Sequence, residues 1–212
     1  DIFLQEIGTW PVVVKPCAST GTDNVYRCDT RPAVVAAVTV ILSSKDSLGR
    51  KNGEVLVQEF LDGTEYVVDC VSVNGKHLVT GMWQQEQKHW AGGFVHRSTT
   101  MMAYGGPGTR QGALQEYVHD CLTALGVSNG ASHSKVMLTK SDCPCLIDMG
   151  ARMHGSIGPT LWAECTSLEE SQPFLVADVF LHDGAAVSKK IEEVKEGHDA
   201  YTLRKVGKHL DL

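Results

Sequence analysis

The sequence predicts an α+β protein of two lobes, and three stretches carry that expectation. Residues 1–61 read as strand, polar loop, strand, helix and strand, which makes a small first lobe. Glu65–Val73 and His77–Trp83 are joined by Asn74-Gly75, the strongest short hairpin signal. Lys135–Thr139 and Pro144–Met149 flank the polar bend Lys140-Ser141-Asp142-Cys143, a second hairpin inside the segment 131–155. Both hairpins belong to a larger lobe, residues 62–212.

Phe3 to Ile7 resembles the tail of a helix ended by Gly8. Trp10–Pro16 is a short, β-branched run that closes on Lys15, a lysine at the edge of a core. Such a side chain either snorkels to water or meets an anion. The loop Cys17–Asn24 is small and polar, so its backbone N–H groups can approach phosphate oxygens; an ordinary hairpin loop has the same composition. With one glycine it lacks the spacing of a P-loop or a dinucleotide fingerprint. Val25–Cys28 is the return strand. Asp29 or Thr30 then caps a helix with Pro32 in its first turn and Ala33–Ser43 in its body. Lys45–Gly53 reads as an exposed polar loop, and Glu54–Leu61 as a strand whose end, Glu59-Phe60-Leu61, is a natural hinge.

Beyond the hinge, Glu65 shares a strand face with Val67 and Asp69. It suits either a solvated strand end or a pair of sugar hydroxyls. Gln84–Arg110 shows no apolar periodicity and reads as a long loop lining or covering a cleft, with no metal role assigned to His89 or His96. Gly112–Leu125 is an amphipathic helix, with Leu114, Val118, Cys121, Leu122 and Leu125 on one face and Gly126 closing it. A further helix starts at Ser167 or Glu169 and runs to about Leu181, and the tail from Lys189 is charged and aperiodic. In the second hairpin, Asp148, Gly150 and, if the chain stays extended, Arg152 share one face. An acid beside a guanidinium is either a surface pair or a place for a cation and a phosphate.

Composition narrows the classes. Hydrophobic residues make up 42% and charged residues 21%, enough apolar surface for a packed core and too little charge for a disordered chain. The net charge of −6, with signs interspersed, provides no basic stripe for nucleic acid. No apolar run is long enough to span a bilayer. The 7 cysteines show no zinc spacing and fit free thiols in a reducing cytoplasm.

In this order the motifs PVVVKP with STGTDNV, EVLVQEFLDGTEYVVD, ALGVSNGASHSKVML and CLIDMGARMHG resemble the ATP-grasp superfamily, in particular its amino-acid (dipeptide) ligase branch. The resemblance implies an ATP-grasp fold, in which two α+β lobes clasp ATP between antiparallel sheets. It implies that Lys15 and the loop Ser19, Thr20, Gly21 and Thr22 hold the phosphates. Glu59, Phe60 and Leu61 would meet adenine through the backbone, and Glu65 the ribose hydroxyls. Asp148 would bind Mg2+, and Arg152 would face the phosphates or an acyl phosphate, which makes Arg152 and Lys15 the catalytic pair. The implied reaction is an ATP-dependent joining of a small carboxylate to an amine, by positioning and charge neutralisation. No nucleic-acid or membrane partner is implied.

The sequence also departs from the family pattern. Where this branch reads H-x-E, the chain has His133-Ser134-Lys135; Asp148 replaces the usual glutamate, and Gly150 stands where many relatives place asparagine. A lysine within about 4 Å of a divalent ion opposes it by several kcal/mol at an effective dielectric near 20. Lys135 therefore either weakens the metal site or replaces it as a fixed charge, leaving a non-catalytic nucleotide-binding or scaffold relative. The N-terminal Rossmann-like domain and the second phosphate-binding lysine of relatives have no counterpart in the sequence, and the C-terminal part is short. The expected protein is a trimmed or decayed form, completed by a missing domain or by a homodimer partner.

Overall fold

Alternation decides the first element. In β1, Val12–Pro16, Val12 and Val14 are buried while Val13 and Lys15 are half-buried, the signature of a strand with one face on a core. The computed structural model describes residues 10–90, 93–167 and 170–210; the expected helix tail at Phe3–Ile7 and the candidate helix start at Glu169 lie outside the described residues. The chain divides into two compact units, Asp1–Leu61 with Gln87–Arg97, and Asp62–Glu86 with Ser98–Leu212. Residues 87–97 thus belong with the first unit, although they fall in the stretch assigned above to the larger lobe.

In the first unit β1 pairs antiparallel with β2, Tyr26–Cys28, and with β3, Val55–Glu59. Tyr26 of β2 also faces Gly93, which opens a strand described below. Helix α1, Arg31–Ser43, starts where the Thr30 hydroxyl accepts the Ala33 N–H at 3.4 Å, and Pro32 needs no partner in the first turn. Its buried Val34, Ala37 and Ile41 pack with Val12, Val14 and Cys28. The loop 45–53 is less exposed than its composition implies. Asp46 is buried, accepting the N–H groups of Leu48 and Arg50 and the Arg50 Nε, and Asn52 donates to the Ile41 carbonyl at the helix end, beside the Ser44 N–H and hydroxyl.

In the second unit β4, Gly63–Val73, turns through Asn74 and Gly75, both at positive φ, into β5, Lys76–Trp90, whose residues from Gln87 on belong to the first unit. β6, Gly93–Met102, follows; then come helix α2, Arg110–Ala124, and strands β7, Gly130–Thr139, and β8, Pro144–Gly150. Helices α3, Gly158–Cys165, α4, Gln172–Leu181, and α5, Ala185–Lys195, precede β9, Lys208–Leu210. The strand order is β6-β5-β4-β7-β8, with β9 paired to β6. Trp83, Met82, Leu114, Leu122, Val187 and Tyr201 lie in one core cluster.

Three expectations change. Gln84–Arg110 is largely two long strands, β5 and β6; polar residues run along both of their faces, so an apolar run was the wrong signal to seek. The end of the α2 stripe fails at Leu125, which is the C-cap residue and 62% exposed. The charged tail carries α5, whose Val187 and Ile191 are buried four residues apart. Helix α3 had no counterpart in the sequence reading; α4 begins after Ser171, whose hydroxyl accepts the Phe174 N–H at 3.4 Å.

Candidate active site

Cross-strand pairing places the candidate residues of the second unit on one sheet face. Asp69 of β4 lies opposite His133 of β7, which lies opposite Gly150 of β8. In the next row Val67 faces Lys135, which faces Asp148. Glu65, two residues before Val67, shares that face. Its carboxylate meets the Lys135 ammonium at 3.2 Å, with side chains only 8% and 14% exposed. Lys135 therefore stands between an acid on each neighbouring strand, Asp148 directly across on β8 and Glu65 diagonally on β4. Asp148 itself is exposed.

Arg152 does not continue the strand. β8 ends at Gly150, the chain bends, and the guanidinium Nη1 donates to the Met153 carbonyl at 2.9 Å. Its aliphatic stem folds back over Gly150, where an added Cβ would meet Arg152 Cγ at 3.3 Å. Asp148 and Arg152 are thus neighbours along the chain, but not successive residues on one strand face.

Sequence reasoning missed the most buried group here. Asp69, 2% exposed in the middle of apolar β4, accepts three side-chain N–H donors. His133 Nδ1 is 2.7 Å from Oδ1, His154 Nδ1 is 2.7 Å from Oδ2, and the Trp83 indole donates to Oδ2 at 2.6 Å. Burial alone would raise the Asp69 pKa; the positive charge of His154 and the hydrogen bonds from both imidazoles outweigh it and hold the carboxyl well below the usual range. The ring of His154 also packs on Trp83, with centroids 4.7 Å apart. A charged residue inside an apolar strand needs partners. That was the available signal; the partners themselves come from elements far apart in sequence.

The ligand atoms of Asp69, His133 and His154 all lie within 4.8 Å of one another, so a transition metal must be considered. The two 2.7 Å contacts argue for protons. Ligands around a tetrahedral zinc sit about 2.0–2.2 Å from the ion and hence roughly 3.3 Å from each other. The adjoining void of about 10 Å³, lined by Asp69, Thr80, Trp83, His154, Trp162 and Gln172 among others, has room for one water at most. Magnesium raises a separate question on the outer row. A site using one carboxylate from β7 and one from β8 does not fit, because β7 presents Lys135; Asp148 alone fits as one carboxylate contact to an ion otherwise held by phosphate and water.

The first unit holds the remaining candidates. Lys15 pairs in register with Leu56 and Glu59 with Val12, so lysine and hinge lie three positions apart on adjacent strands (56 to 59). The loop after Lys15 is exposed at Ser19, Thr20 and Gly21, and half-buried at Thr22. Its shape is kept by Asp23, which accepts the Ser19 hydroxyl at 3.0 Å and the Ser47 N–H at 2.9 Å. Gly21 has φ 67° and open space where a Cβ would stand. Past β3, Phe60 and Leu61 are half-buried, and the Arg27 guanidinium lies 5.2 Å from the Phe60 ring centre. Among the described residues no helix is long and apolar enough to cross a membrane.

Comparison with known proteins bears on this arrangement. The family model described as "ATP-grasp domain" matches residues 8–160. Over 190 residues, 90% of this chain and 43% of the relative, the sequence is 38% identical to a dapdiamide A synthase from Enterobacter agglomerans. An L-amino acid ligase from Bacillus licheniformis has the same fold, with a TM-score of 0.63 at 24% identity over 81% of this chain and 39% of that one. So does a biotin carboxylase from Campylobacter jejuni in complex with "beta-gamma-ATP", with a TM-score of 0.63 at 14% identity over 97% and 42% of the two chains. The chain spans less than half the length of each of these relatives.

Proposed function

Because this chain belongs to the ATP-grasp family, we propose that it is the nucleotide-binding part of an ATP-dependent carboxylate–amine ligase. In this reading a substrate carboxylate oxygen attacks the γ-phosphorus of ATP and ADP leaves. The amine then attacks the carbonyl carbon of the acyl phosphate, loses a proton and expels phosphate, so one amide forms for each ATP cleaved. Lys15 and the Ser19–Thr22 loop bind the phosphates, Glu59, Phe60 and Leu61 the adenine edge, and Glu65 the ribose. Arg152 neutralises charge on the transferring group, where fixed cations are most effective. Asp148 would contact the magnesium ion that accompanies the triphosphate and offsets its charge. One observation carries the reading: Glu65, Asp148 and the Arg152 segment gather on one face of β4-β7-β8 and at its exit, in a chain 38% identical to a dapdiamide A synthase.

Lys135 supports a second reading, since its ammonium is already 3.2 Å from Glu65 and stands across from Asp148. In that reading the chain binds nucleotide with lysine as its fixed cation and does not turn it over. Calorimetric titration of ATP and ADP with and without magnesium, followed by Lys135→Glu, separates the two. For a ligase, magnesium tightens binding about tenfold or more, and Lys135→Glu raises amino-acid-dependent phosphate release. Binding that ignores magnesium, with a silent variant, leaves the non-catalytic reading.

A further inference from the structure

The Asp69 centre is more elaborate than a buried carboxylate requires, and its donors differ in where they lead. Trp83 and His133 come from strands paired within the same sheet. His154 does not: it lies beyond the end of β8, in the irregular segment that also carries Arg152. Two bonds hold His154. Its Nδ1 meets Asp69 Oδ2 at 2.7 Å, and its backbone N–H donates to Gln172 Oε1 at 2.8 Å. Gln172 is itself fixed, because its Nε2 donates to the carbonyls of Cys70 and Ser132, each at 3.1 Å.

The residue before His154 is Met153, and the Met153 carbonyl accepts the Arg152 guanidinium. On the other side, Gly158 at the start of α3 packs so close that an added Cβ would lie 2.0 Å from His154 Cδ2. We propose that Asp69 and His154 are positioning residues: the buried carboxylate anchors His154, and through the Met153 carbonyl this anchor sets the direction of the Arg152 guanidinium. The inference rests on the proposed role of Arg152, and its structural half can be tested without that role. His133 provides the comparison: it bonds the same carboxylate from within β7 and its ring packs edge-on against that of His154 with centroids 4.7 Å apart, but it has no chain link to the Met153 carbonyl.

The test compares His154→Ala, His133→Ala and His154→Asn, the last retaining a side-chain N–H near the position of Nδ1. Amide exchange of residues 151–157 should accelerate about tenfold or more in His154→Ala, rise clearly less in His133→Ala, and return toward the unaltered rate in His154→Asn. In ATP titrations His154→Ala should weaken binding roughly five- to tenfold, and should add almost nothing to Arg152→Ala, because coupled residues are not additive. Equal exchange in the two alanine variants, or full additivity with Arg152→Ala, would overturn the inference. If His154→Ala does not fold, His154→Asn measured beside Arg152→Ala decides the same question, and loss of protection in His154→Asn as well counts against the inference. An unaltered chain that binds neither ATP nor ADP would overturn the proposed function instead, while the exchange comparison still decides the anchoring.

Discussion

Two ionic centres lie four residues apart on β4 and two apart on β7, and they are built differently. Asp69 is 2% exposed and accepts three N–H groups from Trp83, His133 and His154. Glu65 is nearly as buried, at 8%, and is matched by a lysine ammonium at 3.2 Å. A carboxylate bound by rigid aromatic donors has little to exchange. One matched to a flexible four-carbon chain can trade its partner for a hydroxyl or another cation when Lys135 swings away. The contrast fits different duties for the two acids in the proposed reading: Asp69 as a fixed anchor, and Glu65 as the acid that exchanges Lys135 for a ligand.

The largest effect should come from Asp69→Ala, which leaves three buried donors without their acceptor. We expect a loss of about 3–5 kcal/mol in urea unfolding at pH 7; a loss below about 1 kcal/mol would remove the distinction between the centres. Next, Lys135→Met takes the ammonium away from the buried Glu65 carboxylate and should cost about 3 kcal/mol, whereas adding Glu65→Gln should recover most of it. Failure of the double variant to recover would mean that Lys135 acts through packing and not through charge.

A third comparison sharpens the role of an acid partner. Among the described residues no carboxylate hydrogen-bonds to His119 of α2 and its buried Nε2 has no hydrogen-bond partner; its ring lies 5.8 Å from that of His77. Burial, and then the charge of His77, push its pKa down to about 4, against a weaker opposite pull from Asp120. The unfolded chain takes up this proton near pH 6.5 and the native chain only near 4, so the contribution is complete above pH 6.5 and lost as pH falls toward 4. Unfolding at pH 7.5 and 4.5 should show roughly 2–3 kcal/mol less loss in His119→Gln than in the unaltered chain. Parallel losses in the two proteins would assign the acid sensitivity elsewhere.

Some of this was legible early. The β1 run ending in Lys15, the Asn74-Gly75 turn, the capped helix after Thr30 and the 140–143 bend rest on local chemistry, and the structure has each of them. Gln84–Arg110 was not legible, because strands with polar residues on both faces carry no contrast to read. Neither was α3, whose Trp162 packs against Gly81 from a distant part of the chain.

By itself the sequence determined the hairpins, the helix caps and the order of the motifs, since each depends on residues near one another along the chain. The tertiary structure alone decided that Lys135 would face Glu65, that Asp69 would gather Trp83, His133 and His154, and that Arg152 would turn back over Gly150. Those outcomes depend on strand register and on which distant groups can satisfy a buried charge, and neither is written in any short window of residues.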